Sequence, residues 1–359
     1  MATEQRFQAS YLHALVRRLF ISAGAPRHIA EVIAEILINA NLAGHDSHGV
    51  LHVSMYLSAI DSGRMDPAAE PSIVKETDQT LILESNNGSG LFMAKTAMER
   101  AIEKAKKAEV CRVSFVRGHH IGRLGEYAEM AARAGCIGIL LSGRGGGENG
   151  GDILPYGGSE SALGTNPMAV GVPTGDDAPF VLDFATSVIA GGKILVAKSQ
   201  GVDLPEGCIV DKDGNPSVNP EDFLNGGHLL AFGLHKGYAL SLLTCLLGGL
   251  SRDFDIETGS MRGVFMQVMD VEVFTPLEAY QQGVRAFLDG IKATPPAPGF
   301  EAVMVPGDYE HNMRVERLNK GIEVPEDIYG RIQEWADKLG VSISEDLVES
   351  ADIERYRSP

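Results

Sequence analysis

Residues 118–125, Gly-His-His-Ile-Gly-Arg-Leu-Gly, connect a β-type segment to an amphipathic helix. The preceding run, 110–116, is rich in residues typical of strands, and residues 127–132 supply the apolar face of the helix that follows. A loop between a strand and a helix holds a side chain firmly and leaves it open to a ligand. The stretch therefore predicts a functional loop that carries His119 and His120.

His120 is the candidate for proton transfer in this loop. Imidazole titrates closest to physiological pH, so it is the usual proton carrier in enzymes. The competing interpretation is that both histidines only cap or fill a glycine-rich loop. The remaining sequence has to decide between the two.

Length and composition indicate a globular protein with two subdomains. The chain has 359 residues, and a single core stops growing at about 250–300 residues. Hydrophobic residues make up 44% and charged residues 22% of the chain, and its formal net charge is −17. An acidic surface argues against nucleic acid or an anionic membrane as a partner. The net negative charge does not exclude an anionic substrate, because a site can be locally basic.

The cysteines and the chain's apolar segments indicate a cytoplasmic protein. The four cysteines are widely spaced and predict buried thiols, without a disulfide framework or a zinc site. The N-terminal segment has no apolar core typical of a signal peptide. The longest apolar runs, such as 239–247, are too short to span a membrane.

Periodicity predicts helices at both ends of the chain and strands in the middle. Two apolar stripes, at 12–19 and 29–42, predict helices that end at glycines. Strands are expected at 72–75, 80–83, 110–116, 136–141, 168–172, 180–184, 263–274 and 302–305. Further helices are expected at 94–107, 239–250 and 277–291, and from about residue 312 to the end.

A polar segment, His45-Asp46-Ser47-His48-Gly49, lies at a helix junction. Asp46 or Ser47 as an N-cap for the next helix explains only one of these side chains. A metal site built on His45, Asp46 and His48 lacks a distant ligand with suitable spacing. We therefore predict no metal.

Residues 142–151 form a glycine-rich run that imitates a dinucleotide fingerprint. The Rossmann signature requires its glycines to open a helix directly after the first strand. Here the glycines lead into Asp152-Ile153-Leu154-Pro155, which does not start a helix. The run predicts a flexible loop or lid.

His235 and Lys236 precede a strongly apolar helix. Positive side chains at a helix N-terminus add to the positive end of the dipole, which disfavours stability and favours binding of an anion. The competing interpretation is a lysine that only reaches into solvent.

Taken in order, these motifs resemble the type 2 malate/L-lactate dehydrogenase family, and within it most closely the bacterial hydroxycarboxylate dehydrogenase B type. The resemblance runs from about Tyr11 to Glu326. The matching segments are Asp46-Ser47-His48-Gly49, His120-Ile121-Gly122, Leu163-Gly164-Thr165-Asn166-Pro167, Leu182-Asp183-Phe184-Ala185-Thr186-Ser187, Leu204-Pro205-Glu206-Gly207, Lys236-Gly237-Tyr238 and Pro306-Gly307-Asp308.

The resemblance implies an α+β fold that is not a Rossmann fold. Residues 1–70 and 310–359 would form a helical domain, and residues 71–309 a cofactor domain with a largely antiparallel sheet. The element order between residues 72 and 141 on its own would allow a β-α-β-α-β unit, and the resemblance takes precedence over it. It also implies a homodimer with the active site close to the subunit interface.

The resemblance further implies an oxidoreductase that uses NAD or NADP and a small 2-oxo or 2-hydroxy carboxylic acid. His120 matches the catalytic histidine that exchanges a proton with the substrate oxygen, and His48 and Asp183 are further catalytic candidates. Ser47, His52 and Arg123 are the substrate candidates. Cofactor-contacting positions map to His48, Gly122, Arg123, Leu124, Ser142, Leu182, Asp183, Phe184, Ala185, His235, Lys236, Gly307 and Asp308.

One position departs from the family pattern. Many relatives have an arginine four residues after the histidine of Asp-Ser-His, where this chain has His52. A neutral histidine cannot replace a bidentate guanidinium as a carboxylate clamp. We hypothesise that Arg123 binds the substrate carboxylate, with His48 assisting.

Two other functions stay open. One is reduction of a cyclic imine carboxylate, in which His120 or Asp183 would protonate the nitrogen. The other is a binding protein that kept the cofactor pocket without catalysis. Neither the choice between NAD and NADP nor the identity of the acid follows from the sequence.

Overall fold

The computed structural model describes residues 4–116, 118–147, 150–176, 178–344 and 347–356. The α-helices are α1 (Ala9–Ser22), α2 (Arg27–Leu42), α3 (Val53–Asp61), α4 (Gly90–Ala108), α5 (Leu124–Arg133), α6 (Gly191–Gln200), α7 (Pro220–Leu224), α8 (His235–Gly248), α9 (Leu277–Lys292), α10 (Asp308–Lys320), α11 (Glu326–Leu339) and α12 (Ser350–Arg355).

Within the described residues, the strands form one large sheet and two small ones. They are β1 (Glu4–Phe7), β2 (Ser72–Glu76), β3 (Thr80–Glu84), β4 (Val110–Phe115), β5 (Cys136–Gly145), β6 (Met168–Val172), β7 (Phe180–Phe184), β8 (Ile209–Val210), β9 (Pro216–Ser217), β10 (His228–Leu229), β11 (Asp253–Asp255), β12 (Ser260–Asp270) and β13 (Ile322–Pro325). Across the described ranges the large sheet has the order β2-β3-β4-β12-β5-β6-β7, with β11 paired to β12.

The large sheet is antiparallel apart from the pair β3–β4 throughout the described part of the chain. Strand β12 runs between β4 and β5, with Phe265 opposite both Ser114 and Leu141. The two strands joined by α5 are therefore not neighbours, although their sequence order resembles a β-α-β unit. The predicted α+β class with a largely antiparallel sheet is confirmed.

The main core lies between the N-terminal helices and one face of this sheet. The apolar stripes of α1 and α2, which include Leu15 and Ile36, pack in one cluster with α4, α5 and inward-facing strand residues such as Val113 and Met266. Burying each such side chain contributes about 1.5–3 kcal/mol. The division into 1–70 with 310–359 and 71–309 stays a prediction.

The two ends of the chain meet, and the sequence did not predict how. Strands β1 and β13 pair antiparallel, with Phe7 opposite Ile322. Both segments lie in regions where helices were expected, and each is too short for a period-2 pattern to stand out. The strand expected at 302–305 is wrong, because this segment is an irregular connection into α10.

Strand β5 runs farther than predicted, into the glycine-rich stretch as far as Gly145. The hypothesis of a loop or lid therefore applies only to the residues after it, and Glu148 and Asn149 lie outside the described residues. A smaller apolar cluster, which contains Ile153, Ile194 and Leu229, packs α6 and the β8–β10 sheet separately from the main core.

Helix α8 is apolar, as predicted, but it buries its small and polar side. Ser241, Thr244 and Cys245 face the sheet, whereas Leu243 and Leu246 are exposed. Close packing explains this orientation, because a Cβ on Gly143 of β5 would lie 2.5 Å from the Cα of Cys245. The leucines thus form an outward apolar face.

No helix in the described ranges combines the length and the apolar character that crossing a membrane requires.

Candidate active site

The loop between β4 and α5 is held from both sides. The Tyr127 hydroxyl donates to the Ile121 carbonyl at 2.6 Å, and Gly122 has a positive φ of 72°. A Cβ on Gly90, the first residue of α4, would lie 2.7 Å from the His119 carbonyl oxygen. These contacts fix the backbone on both sides of His120.

His120 lies in a cluster of aromatic side chains. Its Nδ1 is 2.7 Å from the Oη of Tyr56. Its ring centroid is 4.6 Å from that of His52 and 5.5 Å from that of His48, and the His48 ring is stacked on it. The second loop histidine, His119, instead contacts Asn87 at 3.1 Å. Of the two candidates, only His120 joins the other predicted site histidines.

The side chains around His120 stay uncharged near neutral pH. Burial lowers the pKa of His48 to about 4, helped by the positive potential of His52, His45 and Arg123. Burial also lowers the pKa of His52, and it raises the pKa of the Tyr56 phenol well above its usual range. Desolvation disfavours the charged form of each group.

The Asp-Ser-His-Gly segment is explained by local contacts. The Ser47 hydroxyl lies 3.0 Å from His48 Nδ1, and the His52 Nε2 donates to the Ser47 carbonyl at 2.8 Å. The Asn41 side chain accepts a hydrogen bond from the Val50 N–H. Residue 49 must be glycine here, because a Cβ would lie 2.5 Å from Asn41 Nδ2 and collide with it. His45 and Asp46 were considered with His48 as possible metal ligands. Both instead contact helix α10.

Asp183, near the end of β7, caps the N-terminus of α5. Its Oδ2 accepts from the Gly125 N–H at 2.7 Å and lies 3.7 Å from the Nε of Arg123. Burial raises the pKa of Asp183, and Arg123 and the Gly125 N–H oppose that shift. A carboxylate at a helix N-terminus is favourable, so Asp183 fixes the helix that follows the His120 loop.

Arg123 is buried in an unusual way. Its side chain is 2% exposed, and within the described residues none of its guanidinium nitrogens makes a hydrogen bond. A buried donor without a partner costs about 1–3 kcal/mol, and more when it is charged. The guanidinium is therefore placed to gain from a ligand or water that accepts its hydrogen bonds.

Strand β7 brings together the segments predicted to contact a cofactor. Besides Asp183, it carries Leu182 and Phe184, and Ala185 follows directly. Gly307 lies against the strand, because the Val181 N–H donates to the Pro306 carbonyl at 3.3 Å. Arg123, Val181, Gly307 and Glu310 line one cavity.

Further cofactor candidates come from four other elements. Phe184 makes an edge contact with Phe232, in the turn just before His235 and Lys236, and both of these are exposed at the start of α8. Asp308 is the first residue of α10, and its Oδ2 accepts from the Val305 N–H at 3.0 Å. Ser142 is buried in β5, and Leu124 begins α5.

Tyr56, Asn41 and Arg317 are site residues that the sequence did not predict. Tyr56 follows His52 by four residues, so both side chains lie on one helix face, and this spacing is the signal that could have identified it. The contacts of Asn41 with Asp46 and Val50 depend on the path of the chain after α2. Arg317 contacts residues that are far away in sequence, and such contacts have no local signature.

Comparison with known proteins places these residues in a family. The malate/L-lactate dehydrogenase family profile matches residues 7–333. L-Sulfolactate dehydrogenase of Methanocaldococcus jannaschii is 35% identical over 335 residues, 91% of this chain and 94% of that protein. Hydroxycarboxylate dehydrogenase B of Escherichia coli O157:H7 is 34% identical over 355 residues, 95% of this chain and 96% of that protein.

A solved structure agrees with both relatives. The malate dehydrogenase of Entamoeba histolytica superimposes with a TM-score of 0.87 at 26% identity, covering 95% of this chain and 99% of that one. The resemblance based on the motifs and the predicted fold are thereby confirmed. The chain belongs to the malate/L-lactate dehydrogenase family, and it is an oxidoreductase related to dehydrogenases of hydroxy acids.

Proposed function

We propose that this protein is an NAD(P)-dependent dehydrogenase that interconverts 2-oxo and 2-hydroxy carboxylic acids, with His120 as proton donor and acceptor. The observation that carries the proposal is the contact of His120 Nδ1 with Tyr56 Oη at 2.7 Å, inside a cluster with His48 and His52. A histidine held at one ring nitrogen presents the other to a substrate in a fixed direction.

The proton steps follow from this arrangement. In the oxidising direction, the Tyr56 oxygen accepts a hydrogen bond from His120 Nδ1–H, which leaves Nε2 as the base that takes the substrate hydroxyl proton. In the reducing direction, Nε2–H of the imidazolium protonates the carbonyl oxygen. Because His48 and His52 stay neutral near pH 7, they do not repel that imidazolium.

The residues around β7 suit a nicotinamide dinucleotide. The exposed Lys236 at the start of α8 offers a cation to an anionic group of the cofactor. Gly122, Leu124, Leu182, Ala185, Gly307 and Asp308 would surround the cofactor, with Ser142, Phe184 and His235 beside it. When bound, the cofactor supplies or accepts the hydride at the substrate's C2 carbon.

An absorbance assay tests this function. Purified protein is mixed with NADH or NADPH and either a 2-oxo acid or a cyclic imine carboxylate, and loss of the reduced cofactor is followed. We expect turnover with a 2-oxo acid and a drop of at least about 100-fold in kcat for His120→Gln. Turnover with the imine alone would favour the alternative function, with His120 or Asp183 protonating nitrogen. No turnover with any substrate would favour a binding protein.

Arg123 is proposed to bind the substrate carboxylate, with His48 and Ser47 close by. Its guanidinium is buried and has unused donors, which a carboxylate would satisfy in a bidentate way. Arg123→Leu is expected to raise the substrate KM by at least about 100-fold, corresponding to the loss of a charged hydrogen-bonded pair, and to leave cofactor affinity nearly unchanged. The reverse pattern would make Arg123 a cofactor residue.

We also propose that the protein is a cytoplasmic homodimer in which the exposed face of α8 contributes to the interface. Leu246 is 62% exposed, and Leu243 lies beside it. Contiguous apolar faces of this kind mark interaction sites. Leu246→Glu is expected to shift the mass measured by light scattering towards the monomer, whereas Ile73→Glu on the outer strand β2 serves as the control. An unchanged dimer in the Leu246 variant would place the interface elsewhere.

A further inference from the structure

The loop that carries His48 contacts helix α10, although the two are more than 250 residues apart in sequence. In the described structure, neither the 3-10 turn Asp46–His48 nor α10 contains a fully buried residue, although Leu318 of α10 packs against the main core. Polar contacts therefore contribute to the position of the turn.

Arg317 of α10 forms a two-pronged ion pair with Asp46. Its Nη1 and Nη2 donate to Oδ1 and Oδ2 of Asp46 at 2.6 and 2.8 Å. Arg317 also donates to the Asn41 carbonyl, and the Asn41 side-chain amide donates to Asp46 at 2.6 Å. The Arg317 side chain is 12% exposed, whereas that of Asp46 is 49% exposed, so the geometry of the fork is what this pair contributes. A planar fork fixes the direction of its partner as well as its distance.

A second contact lies two helical turns earlier on the same face of α10. The Glu310 Oε1 is 2.9 Å from His45 Nε2, and a separation of seven residues returns to the same side of a helix. The loop is thus attached to α10 at two points, His45 and Asp46. These two contacts limit how far the loop backbone can shift.

Asp46 and His48 share one 3-10 turn, so the position of Asp46 sets that of the His48 ring. The ring is further fixed by the Ser47 hydroxyl at 3.0 Å and is stacked on the ring of His120. A shift of the turn would therefore change the environment of the histidine proposed to exchange the proton.

We propose that Arg317 is a positioning residue, which holds the His48 turn against His120 through its fork with Asp46. The proposal rests on the proposed function for its kinetic consequence. Its structural consequence, the placement of the His48 ring, does not depend on any activity. Arg317 touches neither the substrate nor the cofactor in this mechanism, and acts only through Asp46.

The test compares Arg317→Met and Asp46→Asn with the wild-type protein. Each variant keeps about the same side-chain volume and removes the charge of one partner. We expect kcat for 2-oxo acid reduction to fall by about tenfold to a hundredfold, because small displacements of aligned groups cost rates of this order. Cofactor affinity, followed by fluorescence of the reduced nicotinamide, should change by less than about threefold.

A second readout does not require turnover. Protein labelled with ¹³C-histidine gives an imidazole signal for His48, assigned with His48→Gln. In both variants this signal should shift, and its titration should move up towards the ordinary histidine range as water reaches the ring. Arg317→Lys, which keeps the charge and loses the fork, should lie between the wild type and Arg317→Met.

Arg331→Met is the matched control. Arg331 lies on the neighbouring helix α11 and pairs with Asp327 in an exposed i,i+4 contact at 3.3 Å. Both readouts should stay at wild-type values. An unchanged His48 signal in Arg317→Met and Asp46→Asn would overturn the proposal, even if kcat fell. A shifted signal in a protein without any turnover would support the positioning role and refute the proposed function instead.

Discussion

At the scale of single residues, the candidate site depends on histidines that remain neutral. His48 and His52 lie against His120, and burial keeps both from gaining a proton near pH 7. In the proposed mechanism, His120 therefore changes its charge beside two neutral imidazoles.

The low pKa of His48 makes stability depend on pH. Folding lowers this pKa from 6.5 to about 4, so between these values the unfolded chain binds more protons than the folded one. The unfolding free energy therefore falls as the pH drops from 6.5 towards 4, by up to about 3 kcal/mol from this residue.

Urea unfolding at a series of pH values checks this prediction. His48→Gln should flatten the dependence between pH 6.5 and 4, whereas His28→Gln, which replaces an exposed histidine on α2, should leave it unchanged. Equal slopes in the wild type and His48→Gln would show that His48 is protonated as easily in the folded protein as in the unfolded chain.

Single residues also show the limit of reading the sequence. His120 could be proposed because its chemistry and its glycine-rich loop are local features. Tyr56, its hydrogen-bond partner, is separated from it by 64 positions, and a tyrosine on an amphipathic helix looks like a core residue. Arg123 was predicted to contact a ligand, but its burial beside Asp183 depends on the packing of β7 against α5, which no local pattern indicates.

At the scale of elements, regular segments with strong periodicity were predictable. Strands β6 and β7 have the predicted ends, and α9 differs by one residue. Helix α8 was also expected, but its orientation was not. The small residues Ser241, Thr244 and Cys245 are buried because the helix backbone lies directly on β5, and the leucines face outward.

This close approach predicts a large effect of Gly143→Ala. The added methyl group would meet the backbone of Thr244 and lie 2.5 Å from the Cα of Cys245. Backbone atoms cannot rotate away, so β5 and α8 must separate, at a cost of about 3 kcal/mol. The midpoint of thermal or urea unfolding measures this loss.

Gly283→Ala is the comparison. Gly283 lies within α9 with open space around its Cα, and alanine favours a helix over glycine by up to about 1 kcal/mol. This variant should be neutral or slightly more stable. If Gly143→Ala were equally well tolerated, the contact between β5 and α8 would be looser than the structure indicates.

At the scale of the whole molecule, the fold depends on contacts between its two ends. Strand β1 pairs with β13, α10 braces the loop after α2, and α12 packs against α1. The resemblance to a family implied that terminal segments belong together. Composition and periodicity could not predict this association, because a short sequence window contains no information about pairing with residues more than 300 positions away.

One contact between the two ends is a buried ion pair. The Arg17 guanidinium on α1 is 1% exposed and donates to both carboxylate oxygens of Asp352 on α12, at 2.5 and 3.1 Å. Glu31 and Glu349 also contact this guanidinium. Asp352 in addition completes the capping box of α12 through the Glu349 N–H. Loss of Asp352 leaves the buried guanidinium with only the more exposed carboxylates of Glu31 and Glu349.

Asp352→Ala is therefore expected to lower the unfolding free energy by about 3 kcal/mol. The control is Asp61→Ala, which breaks a pair of similar sequence separation between α3 and Lys338 of α11, at 2.8 Å but about half exposed on both sides. Exposed pairs contribute about 0–1 kcal/mol, so this variant should stay close to the wild type. Urea unfolding at fixed protein concentration separates the two. Equal losses would mean that water reaches Arg17 as freely as it reaches Lys338, and that burial of the terminal helix does not strengthen the pair.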